Sequence, residues 1–114
     1  MTNKELLHKW QHLLGLTDWV IKFNDSAIPA EFSNEECEGE AEYQESTKTA
    51  IIRIIRPDCY GEKIIPFDFE KTLIHELLHL KFALLDNSGN ALQDRLVHQL
   101  VDDLARAFTK KEEN

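Results

Sequence analysis

The sequence is poor in the features that define specialised chains, and each scarcity excludes something. It has two cysteines, Cys37 and Cys59, in 114 residues. They are far from a C-x-x-C spacing, so no thiolate metal site is indicated, and two thiols in a reducing compartment generally stay free. Basic residues are outnumbered, 13 Lys and Arg against 21 Asp and Glu, giving a formal charge of -8. Neutralising nucleic-acid phosphates takes clustered Lys and Arg, so no nucleic-acid partner is expected. No apolar run approaches the roughly 18 residues a membrane helix needs. The opening MTNKELLHKWQHLL lacks the basic region, apolar stretch and small-residue cleavage site of a secretory signal. No membrane association and a cytoplasmic location are the expectations. Internal repeats and low-complexity tracts are absent. What remains is 42% hydrophobic and 30% charged, the balance of a chain that folds. Its length suits a single domain over residues 1–114 with one modest core.

Residues 3 to 14 carry Leu6, Trp10, Leu13 and Leu14 at helical spacing, with Thr2 or Asn3 as cap and Gly15 as stop. His8 and His12 lie four apart on that helix, on a face that reads as solvated. WVIKF, residues 19 to 23, alternates as a strand, and DSAIPAEFSNEECEG reads as a loop. The run Glu31, Glu35, Glu36, Glu38, Glu40 and Glu42 has no EF-hand spacing and reads as an acidic rim. EAEYQ and TAIIRII flank a short polar stretch, a hairpin pattern, with the isoleucines packing on the core while Arg53 and Arg56 keep one edge wet.

The segment that carries chemistry is TLIHELLHLKF. With Asp68 as cap, a helix is expected from about Phe69 to Leu85. At 100° per residue, Thr72, His75, Glu76, His79 and Ala83 share about 100° of arc, and leucines and isoleucines occupy nearly all the rest. A helix apolar nearly all round is buried. Buried imidazoles and a buried carboxylate need partners, and one metal ion serves all three at once. Histidines at i and i+4 reach a single zinc, which lowers the pKa of its water to roughly 7, and Glu76 takes the water's proton as general base. That is the physical content of the HExxH motif.

His75, Glu76 and His79 match the pattern of the zincin metallopeptidases, and the order of elements around them is similar. The chain resembles a minimal zincin. The resemblance implies a small α+β domain: an N-terminal helix, a short mixed or antiparallel sheet, a central HExxH helix and a C-terminal helix bearing a third ligand. Metzincins continue HExxHxxGxxH, whereas here Phe82 and Leu85 stand at the glycine and third-ligand positions. Gluzincins use a glutamate on a later helix, and the last helix, about Asn90 to Thr109, has none. His98 borders its apolar stripe and is the expected third ligand, with Asp102 one turn later as an acceptor for its other ring nitrogen. Asp94 is a weaker alternative. Asp86 lies on the HELLH face but begins the DNSGN turn, a lesser candidate. Tyr43 and Tyr60 are the tyrosines available to stabilise an oxyanion, and neither is placed at the metal by spacing.

The function these readings favour is a zinc-dependent metallopeptidase acting on a peptide or protein, with an extended substrate bound along TAIIRII if that strand is the sheet edge. One alternative is a zinc-binding module in which a structural metal staples two helices and the protein acts through a partner. Another is a metal-dependent hydrolase of a different amide. Oligomeric state is not legible.

Overall fold

The computed structural model describes residues 1–34, 37–61, 63, 65–83 and 89–109. It is an α+β fold of three helices and a three-stranded mixed sheet: α1 (Asn3–Leu13), β1 (Val20–Ala27), β2 (Gly39–Gln44), β3 (Thr49–Ile55), α2 (Phe69–Lys81) and α3 (Ala91–Thr109). No helix among the described residues is long and apolar enough to cross a membrane.

α1 begins in a capping box. The Thr2 hydroxyl accepts from Glu5 N, and the Glu5 carboxylate accepts from Thr2 N. It stops at Gly15, whose φ of +70° is in the left-handed region that glycine enters without strain. His8 and His12 are exposed on its surface.

The sheet order is β1-β3-β2, with β1 parallel and β2 antiparallel to β3. The hairpin forms as expected. TAIIRII, however, is the central strand and not an edge, which corrects the groove expected along it. The reason is burial: Ile52 and Ile54 are fully enclosed, so the most apolar strand takes the position flanked on both sides. Arg53 accordingly lines no edge. It lies on the outer face of the sheet, where Nη1 donates to Glu40 Oε1 at 3.2 Å and Glu42 Oε1 at 2.5 Å. Part of the supposed acidic rim is therefore paired. β1 also continues through residues 25–27, expected as loop, because Ala27 still pairs with Ile55 across a register shift.

α2 is the centre of the fold. Leu73, Leu77 and Leu80 pack with Leu7, Trp19, Ile52 and Ile54 between the helix and the sheet. Ile74 and Leu78 pack on the other side against Val97, Val101 and Ala105 of α3. A third cluster joins Ala27, Phe32 and Ile55, with Cys37 and Cys59 at its border and no disulfide between them. The helix ends before the expected Leu85. Phe82 leaves helical geometry and Ala83 N bonds Leu80 O, the tightened i→i+3 closure of a last turn. Leu84, Leu85 and Asp86 lie outside the described residues, as do Glu35 and Glu36.

Candidate metal centre

Two helices bring the site together. α2 is started by Asp68, whose carboxylate accepts from Lys71 N at 3.1 Å. Its apolar sides are committed to the sheet and to α3, so the remaining stripe holds Thr72, His75, Glu76 and His79, with Glu76 only 6% and His79 8% exposed. α3 is started by Asn90, whose side-chain oxygen accepts from Leu92 N and Gln93 N. Seating Val97, Val101 and Ala105 against Ile74 and Leu78 turns His98, next to Val97, toward the α2 histidines.

The result is a cluster of three imidazoles. One ligand atom from each of His75, His79 and His98 lies within 4.8 Å of the others. His75 Nε2 and His79 Nε2 are 3.2 Å apart. Two nitrogens held about 2.0–2.1 Å from a tetrahedral zinc are separated by roughly 3.3 Å, so the pair fits such an ion. The His79 and His98 rings stand 4.8 Å apart between centroids, and His98 is the exposed member. No other group of three or more potential ligands meets the same closeness among the described residues. Asp94 lines the adjacent cleft without joining the cluster.

Asp102 is at the site, but not where expected. Its Oδ1 lies 3.8 Å from Nδ1 of His75, the ring nitrogen directed away from the cluster, and its Oδ2 pairs with Arg106 Nη2 at 3.2 Å. The crossing of α3 over α2 decides this. One turn beyond His98, α3 lies over the first histidine of α2, so the carboxylate meets His75 and not its own helix neighbour.

Electrostatics prepares two of these groups. Burial, together with the nearby His79, His98 and Lys71, lowers His75 to about 4 against the opposing pull of Asp102, which leaves the lone pair of one ring nitrogen available at neutral pH. Glu76 moves the other way. Burial pushes it up to about 8, reinforced by Glu40 and Glu38. A carboxyl tuned to this range exchanges protons near neutrality.

A cleft of about 480 Å³ opens over the histidines, with α2 as floor, α3 on one side and β2 on the other. Its lining includes Gly39 and Tyr43, which sequence reasoning did not place there. The signal for Gly39 was available, since glycine in a strand marks a close backbone approach. For Tyr43 the signal was its alternation with Ala41, which puts both on the side facing α2. Tyr60 is elsewhere, donating from its hydroxyl to Ile65 O at 2.7 Å and packing at a tilt against Phe67. Comparisons with family models, with curated proteins and with solved structures found no match to this chain.

Proposed function

We propose that the protein is a zinc-dependent metallopeptidase that hydrolyses peptide bonds in a peptide or protein substrate. The observation that carries this reading is the convergence of three histidines from two helices, with the buried Glu76 carboxyl on the same stripe. His75, His79 and His98 are the residues to hold the metal. Three protein donors and an open cleft are the arrangement of a catalytic zinc site, whereas structural sites are closed by a fourth protein ligand.

Zinc in this cradle supplies Lewis-acid activation of a water and of the scissile carbonyl. The chain's own residues do the rest. Glu76 accepts a proton at its carboxylate and passes it to the leaving amine, a role suited to a group lifted toward neutrality. Asp102 orients the His75 ring through its Nδ1 side. β2 is an edge of the sheet and borders the cleft, so its outer backbone groups suit an extended peptide added as a further strand. A cytoplasmic setting is part of the proposal, supported by two cysteines that stand unbridged.

The test is metal content by elemental analysis with peptide turnover on the same samples. Wild type is expected to hold about one zinc per chain and His79→Ala little or none. Glu76→Gln is expected to keep the zinc and lose turnover by about 10²-fold or more. Wild-type protein that takes up no zinc when supplied with it refutes the reading.

A further inference from the structure

Glycine opens β2 at the point where the strand presses on α2. A Cβ placed on Gly39 meets Thr72 Cγ2 at 2.7 Å, Glu76 Oε2 at 2.9 Å and Glu76 Cγ at 3.2 Å. Ordinary contact between carbon atoms is about 3.5–4.0 Å, so no side chain fits there without a shift. Neither element moves away cheaply. Gly39 is paired with the fully buried Ile54 of β3, and Ala41 and Tyr43 of the same strand pack on the main core. α2 is held from behind by Val97, Val101 and Ala105. Of the three atoms met, Glu76 Oε2 is the end of a flexible side chain and is the one that yields.

We infer that Gly39 is a positioning residue: by having no side chain it lets the β2 backbone lie against Glu76 and sets where that carboxylate stands beside the histidines. The functional half of this inference rests on the metallopeptidase reading. The contact half rests on the packing alone. Any side chain at position 39 displaces the Glu76 carboxylate while leaving the three imidazoles, none of which is among the nearest atoms met, to hold their metal.

Thr72 allows the two halves to be separated. Its Oγ1 donates to Asp68 O at 3.0 Å, and serine keeps that bond while removing the methyl group at 2.7 Å. In zinc-loaded protein, Gly39→Ala is expected to keep about one zinc and to lose about 10²-fold in kcat, with KM changed little, the signature of a displaced reacting group. Gly39→Ala with Thr72→Ser is expected to regain most of the lost melting temperature but not kcat, because Glu76 is still pushed. If kcat returns together with the melting temperature, Gly39 matters only for packing and the inference is overturned. A second comparison needs no turnover. The drop in melting temperature caused by Gly39→Ala is expected to nearly vanish in a Thr72→Ser, Glu76→Ala background, which removes all three contacting atoms. An undiminished drop overturns the contact itself. Zinc-loaded wild type without turnover on any peptide counts against the metallopeptidase reading, and this melting comparison then still decides whether position 39 presses on Thr72 and Glu76 of α2.

Discussion

Replacing Glu76 by Gln is expected to stabilise the metal-free protein at pH 7 by about 3 kcal/mol, an unusual direction for a change at a buried polar residue. Glu76 is 6% exposed and its carboxyl is raised from an ordinary 4.5 to about 8, first by burial and then by Glu40 and Glu38. An acid whose pKa rises on folding is held more tightly as the protonated form in the native state than in the unfolded one. Its ionisation costs the native state nothing below pH 4.5, and the cost grows with pH until it is complete above about 8. At 1.36 kcal/mol per pH unit, the climb from 4.5 to 7 amounts to about 3 kcal/mol, and at pH 5 to only about 1 kcal/mol. Glutamine has nearly the same shape and cannot ionise. The assay is urea unfolding of chelator-dialysed wild type and Glu76→Gln at pH 5 and pH 7, with the gap read from the midpoints and slopes. A gap of equal size at both pH values, or a variant less stable than wild type at pH 7, refutes the argument that desolvation of the carboxylate is the dominant cost. With zinc bound the gap is expected to shrink, because a dication in the site favours the ionised form.

Other outcomes follow from the same geometry. His98→Ala is expected to weaken zinc retention by at least about 10²-fold in a chelator competition, whereas Asp94→Ala, which lines the cleft outside the histidine cluster, is expected to retain zinc as wild type does. Asp102→Asn removes the carboxylate beside His75 Nδ1 and is expected to lower zinc affinity by about tenfold to a hundredfold in that competition, with an unchanged far-ultraviolet circular dichroism spectrum. Leu77→Ala empties a fully buried position between α2 and the sheet and is expected to cost about 2–5 kcal/mol in urea unfolding of the metal-loaded protein.

Periodicity carried the sequence reading as far as single elements. Thr2 as cap, the hairpin, Asp68 as cap and the burial of the HELLH stripe all depend on a residue and its neighbours a few positions away, and all appear in the structure. His98 was found because it borders the apolar stripe of α3. Helical spacing also puts Leu100 and Phe108 on that stripe, yet they are 42% and 44% exposed, because α3 covers α2 with the narrow row Val97, Val101 and Ala105. What periodicity does not contain is how elements are placed relative to one another. The parallel pairing of β1, the central place of β3 and the approach of Asp102 to His75 instead of His98 are all set by strand order and helix crossing. Gly39 belongs to the same class, since only the closeness of β2 to α2 gives its missing side chain a meaning.

The placement of the three histidines on two helices links the proposed chemistry to the fold. His75 and His79 share α2 and would meet one ion whatever α3 did, but His98 reaches them only when α3 is seated. A metal gripped by all three therefore binds the packed state and not the separated helices, so its binding free energy adds to the stability of the α2 and α3 interface. That interface is built on five buried side chains, with Ala105 the smallest. It also lies next to the stripe where burial makes ionisation of Glu76 costly. The metal-free protein thus carries a costly buried carboxyl beside the seam between α2 and α3. A metal bound by the proposed site would favour the ionised carboxylate and clamp that seam, while the side facing β2 is the cleft. Opening on that side brings no loss of grip, because the strand bordering it contributes none of the three clustered donors.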